Sequence, residues 1–119
     1  MYEIYKETGG LIRVVRKGMF SANEAIAYAA ELTHAIQSVR DAGMNAVLLV
    51  DNTQAATTPQ DAVGELERLS EKIGKLGVSK MAVISRSAIT RLQSRRILKS
   101  ILSMECFDDE AGARAWLDA

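Results

Sequence analysis

Five apolar residues in a row, Ala46-Val47-Leu48-Leu49-Val50, constrain this chain more than any other stretch. An unbroken β-branched and aliphatic run of this kind suits a strand buried on both faces, as in a parallel sheet. The run stops at Asp51-Asn52, and a polar loop carries the chain to Thr58-Pro59. Pro59 suits the first position of a helix, where its missing N–H would be unpaired anyway. Thr58 before it can cap that helix, and Asp61 adds a negative charge where the helix dipole favours one. Strand, loop and helix together make one central turn of an α/β protein.

The flanking sequence repeats the alternation. Tyr2 to Thr8 alternates loosely, Gly9-Gly10 follows, and Leu11 to Val15 is strand-like, with Gly18 at its end. Two such runs joined by Gly-Gly read as a β-hairpin, with the first strand at a sheet edge. Ser21 and Glu24 form a capping box that opens a helix. On it Ala22, Ala25, Ile26, Ala29, Leu32, Thr33, Ile36 and Val39 share one side, and Glu24, Glu31, His34 and Ser38 the other. Gly43 closes this helix and Gly77 closes the next, Pro59 to Leu76. Met81 to Ile84 is a further apolar strand, Ala88 to Leu102 a third helix, and Met104 to Phe107 a last strand. Asp108 or Asp109 then caps a terminal helix whose Ala113, Trp116 and Leu117 face inward. The spacing predicts an α/β fold with a five-stranded mixed sheet, an N-terminal hairpin followed by parallel βα units, and four helices.

Composition narrows the function classes. A chain of 119 residues and 13.0 kDa is expected to be one domain over residues 1–119, with 48% hydrophobic residues for its core. Fifteen basic and fifteen acidic side chains cancel, which argues against a nucleic-acid partner. No apolar run approaches the ~18 residues of a membrane span, and MYEIYKETGG lacks the plan of a signal peptide. The single cysteine, Cys106, excludes an internal disulfide and a multi-cysteine metal cage. The expectation is a cytoplasmic protein without metal or cofactor.

The order of elements resembles the STAS-like fold, the group that includes anti-sigma-factor antagonists and CRAL-TRIO-like relatives. The resemblance spans Tyr2 to Leu117 and is carried by the opening hairpin, LLVD at Leu48 to Asp51, MAVIS at Met81 to Ser85, and FDDEAGARAWL at Phe107 to Leu117. In antagonists it implies a phosphorylatable serine in a DSxG-like turn that opens the second helix. Thr57-Thr58-Pro59 stands at that place here, without DSxG.

Candidate site residues gather at the two loops that leave the central strands. Asp51, Asn52, Thr53, Thr57 and Thr58 lie at the carboxyl end of the first, where open α/β sheets bind ligands and a helix N-terminus attracts anions or a phosphorylated threonine. Ser85 and Ser87 form the parallel loop after Met81 to Ile84. For Thr58 and Ser87 the favoured account is simple capping. His34 has no second histidine or cysteine nearby and reads as solvated, and Cys106 as a small buried hydrophobe.

The third helix carries Arg86, Arg91, Arg95, Arg96 and Lys99 without an intervening acid. Its Ile97, Leu98, Ile101 and Leu102 share a face, while Ile89 and Leu92 point elsewhere. Arg91, Arg95, Ile97, Leu98, Ile101 and Leu102 are therefore the interaction candidates. A second consideration is geometric. Right-handed crossovers between neighbouring strands put their helices on one face of the sheet, so strands apolar on both faces want further cover. Another subunit or an apolar ligand would supply it if no helix does. The expected function is a non-enzymatic, bacterial-type regulatory module that binds protein partners and self-associates. The alternative is a carrier or sensor of a small apolar or lipid-like ligand, as the CRAL-TRIO-like resemblance implies.

Overall fold

A computed structural model describes residues 1–101 and 103–119. The elements are β1 (Tyr2–Lys6), β2 (Leu11–Gly18), α1 (Ala22–Asp41), β3 (Ala46–Ala55), α2 (Gln60–Leu76), β4 (Val78–Ile84), α3 (Ala88–Ile97), β5 (Met104–Phe107) and α4 (Glu110–Asp118). They form the predicted five-stranded mixed sheet in the spatial order β1-β2-β3-β4-β5. β1 runs antiparallel to β2, and every other pairing is parallel. β3 is thus the central strand, as its apolar run requires.

The hairpin turns through a 3-10 segment at Thr8–Gly10. Gly10 has φ +85°, and a Cβ there would lie 2.2 Å from the Asn45 carbonyl oxygen, so only glycine fits. Ser21 caps α1 by accepting a hydrogen bond from the Glu24 N–H. Asp109, rather than Asp108, caps α4 through the Gly112 N–H at 2.8 Å.

Alternation along the strands divides the core in two. Ile12, Val14, Leu48, Val50, Met81 and Val83 point to one side and are buried beneath α1, α2 and α3. Leu49, Ala82 and Ile84 point to the other, where Ala113, Phe107, Trp116 and Leu117 close over them. The second face is therefore covered by α4 of the same chain, and no other subunit is needed there. Where α4 does not reach, β1 and β2 present charge: Lys17 pairs with Glu3 at 3.1 Å, and the Arg13 guanidinium lies 4.4 Å from the Tyr5 ring centroid.

Several boundaries differ from expectation. β3 does not stop at Asp51 but continues to Ala55, because β2 is long enough to pair Lys17 with Gln54 and Gly18 with Ala55 beyond a register shift. Pro59 occupies the cap position and α2 starts at Gln60. Thr58 does not cap that helix, because its hydroxyl accepts from a buried arginine instead. On α1, Ile26 is exposed, while Tyr28 and Ala35 take inward places. α3 ends at Ile97 rather than Leu102. Leu102 lies outside the described residues.

Helix α4 is fastened to the hairpin by Arg114, which donates to both Glu7 oxygens at 3.2 and 3.3 Å, while Arg13 reaches the same carboxylate at 2.8 Å. These hydrogen bonds, Arg114's first, hold the Glu7 carboxyl below its ordinary value. A depressed folded-state pKa contributes stability above the ordinary carboxylate range and loses it as pH falls through the lower folded value. Trp116 is the only tryptophan, so its fluorescence reports on α4. Acidification below the carboxylate range is expected to change that emission before global unfolding. Glu7→Gln should show the altered emission already at neutral pH.

Candidate functional site

β2 carries an inward series at period two, Ile12, Val14 and then Arg16. The third member is a charged residue at a core position. Arg16 is only 9% exposed, packed beside the interlocked rings of Tyr2, Phe20 and Tyr28, with its guanidinium 4.4 Å from the Phe20 centroid. Its Nη2 donates to the Thr58 hydroxyl at 3.2 Å, and its Nη1 to Asn52 Oδ1 at a long 3.5 Å. Its Nε is buried without an acceptor, one of two such side-chain atoms among the described residues; the other is Ser70 Oγ. No carboxylate among the described residues pairs with it, and Glu24 acts only through space.

Burial lowers the Arg16 pKa, although the guanidinium stays charged, and pushes the neighbouring Tyr28 phenol up to about 12. Arg16, Tyr28, Asn52 and Ser94 line a cavity of about 30 Å³ together with aliphatic side chains, Val50, Leu66, Leu69 and Met81 among them. It lies between the sheet, α2 and α3. Two larger clefts exist, but they open at the amino ends of the parallel strands. Ligands of open α/β sheets sit at the carboxyl ends.

The structure divides the predicted loop residues. Asn52 and Thr58 meet at Arg16. Gln93 of α3 clasps Thr58 from the other side, accepting from its N–H and donating to its carbonyl, both at 2.9 Å. Asp51 lies on the α4 side of β3, where its carboxylate accepts from the Thr53 N–H at 2.9 Å and the Thr53 hydroxyl at 2.7 Å. Thr57 is exposed in the loop before α2. Ser85 is buried at the end of β4, and Ser87 caps α3 through the Thr90 N–H. Arg16 itself escaped the sequence reading. Its signal was an arginine in phase with Ile12 and Val14.

At the end of α3 and just beyond it, Ile97 and Ile101 are buried in the core and Leu98 packs half-buried against it. Arg91 is half-buried, donating to the Ser85 carbonyl at 2.8 Å and pairing with the exposed Asp108. The apolar residues that α3 does present to solvent are Ile89 and Leu92, 67% and 66% exposed, with Arg95 and Arg96 nearby. His34 is exposed on α1. Cys106 is half-buried in β5, where burial raises its thiol pKa and so lowers its reactivity.

This architecture is the SpoIIAA-like, or STAS-like, fold. Neither a protein-family model nor a curated protein matches the sequence. Solved structures match across the chain. An uncharacterized protein from the DUF3478 family with a SpoIIAA-like fold, from Shewanella loihica PV-4, is 17% identical with TM-score 0.70, covering 98% of this chain and 92% of that one. The anti-sigma factor antagonist SpoIIAA in its unphosphorylated form is 10% identical with TM-score 0.69, covering 100% and 99%. An anti-sigma factor antagonist from Mycobacterium paratuberculosis is 17% identical with TM-score 0.61, covering 100% and 94%.

A buried cation with a missing acceptor has a testable consequence for stability. Arg16→Met leaves the buried Asn52 and Thr58 oxygens without their donor and removes the contact with Phe20, so it is expected to lower the melting temperature. Thr58→Val withdraws an acceptor from the guanidinium and should cost about 1–3 kcal/mol in chemical denaturation.

Proposed function

We propose that the chain is a non-enzymatic regulatory module that works by binding proteins, a second copy of itself included. The observation that carries this reading is the pair Ile89 and Leu92, two large apolar side chains left in solvent on one helix. Self-association is supported by charge: the basic rim of Arg95 and Arg96 and the exposed acids Asp109 and Glu110 belong to one molecule and can meet across a two-fold contact. The fold shared with two anti-sigma factor antagonists supports a protein partner over a substrate.

In this reading the loop before α2 flanks the docking surface, and Thr57 is its accessible hydroxyl for phosphorylation. Thr58 is tied to Arg16 and Gln93 and is the poorer acceptor. The alternative, a carrier of a lipid-like ligand, has less support. A cavity of about 30 Å³ has no room for an acyl chain.

Light scattering after size exclusion tests the reading. The expected mass exceeds the 13.0 kDa of one chain and falls with dilution. Leu92→Asp, at a solvent-exposed position, should leave the fold intact and weaken association about thirtyfold, the effect of losing one interface hot spot. A wild-type mass of one chain at every concentration would dismiss self-association.

A further inference from the structure

Acids and bases balance over the whole chain, yet from Arg86 to Met104 there is no aspartate or glutamate. At roughly 100° per residue, Ile89, Leu92, Arg95 and Arg96 of α3 fall within one arc of about 120°. All four are exposed. Arg86 stands just before the helix and Lys99 just after it, and both are exposed too. Arg91 is spent on Asp108 and the Ser85 carbonyl. Arg95, Arg96 and Lys99 enter no ion pair among the described residues, and Arg86 commits only its Nε, to the Asp108 carbonyl. Two aliphatic side chains thus stand in water among four cations.

We propose that this face docks on an anionic lipid bilayer, with Ile89 and Leu92 entering at headgroup level and Arg86, Arg95, Arg96 and Lys99 lying against the lipid phosphates.

Three features select that partner. Protein interfaces set partner and register with complementary charges, whereas this arc holds a single sign, which is all that a uniform anionic surface asks for. The arc is also a ridge and not a groove. The recess beside it, lined by Val63, Glu67, Gln93 and Arg96, has a volume of only about 30 Å³, too little to grip a partner helix. Finally, charge alone would serve any polyanion, but a bare polyanion would leave Ile89 and Leu92 in water. A bilayer places an apolar phase directly behind its negative charges. Because the chain has zero net charge, attraction comes from this face and orients the molecule on the surface. The reading does not depend on self-association, which would cover the same side chains.

Co-sedimentation of the full chain with vesicles tests the proposal. Vesicles of phosphatidylglycerol and phosphatidylcholine in equal parts are expected to bind it reversibly, and less so as salt rises. Vesicles of phosphatidylcholine alone should bind at least tenfold more weakly, the combined effect of two or more lost cation contacts. Arg95→Gln and Arg96→Gln, both at exposed positions, should each weaken binding about fivefold. Leu92→Ser should weaken it about tenfold without changing the salt dependence. Glu110→Gln removes an acid from the proposed contact between copies, so it should weaken self-association and leave vesicle binding intact. No binding to the anionic vesicles would overturn the proposal. So would equal binding to phosphatidylcholine alone, unchanged affinity in the arginine or leucine variants, or loss of vesicle binding in Glu110→Gln. Binding to poly-glutamate as tight as to the anionic vesicles would overturn it as well, and would assign the face to an acidic protein.

Discussion

A central strand with no solvent-facing side sets the terms for everything around it. Leu48 and Val50 on one side of β3 and Leu49 on the other must all leave water, and at about 25 cal/mol per Å² of apolar surface neither side can be left open cheaply. Right-handed crossovers bring α1, α2 and α3 to the same face, because each joins neighbouring parallel strands. The opposite face is left to the last segment. That is why the short α4 carries Trp116 and Leu117, and why Arg114 and Lys80 fasten it, Lys80 by donating to the Trp116 carbonyl at 2.8 Å.

Two-sided burial has a consequence at the carboxyl end of the sheet. The inward phase that buries Ile12 and Val14 also buries Arg16, so a full charge enters the core beside aromatic rings instead of beside an acid. The register shift after Val15 places Asn52 within reach, and the loop into α2 delivers Thr58. Thr58 thereby gives up the helix cap, and Gln93 from α3 holds the loop by its backbone. One charge thus ties together β2, β3, the α2 entrance and α3.

The outer side of α3 answers to no such demand. Its inward residues Ser94 and Ile97 close the core, and Ser87 and Arg91 fix its start. Ile89 and Leu92 contribute nothing to that closure. Those two exposed side chains are what the proposed docking surface rests on.

Strand order, the hairpin, the caps at Ser21 and Ser87 and the inner place of LLVD were all legible in the sequence, and the cap of α4 was narrowed to Asp108 or Asp109. Each rests on local chemistry: an apolar run, a glycine pair, a side-chain oxygen ahead of a helix. The second cover of the sheet was only half legible, since Trp116 and Leu117 marked an inward face without saying against which side of the sheet it would lie. The site was less legible still. Asn52 and Thr58 were named for a loop and a helix end, but their common partner stands 42 residues from Thr58 in sequence. Periodicity alone determined which residues turn inward on each strand. Only the tertiary structure decided that an inward arginine would find two neutral acceptors and no acid, because those partners arrive by crossovers whose distances no local pattern encodes.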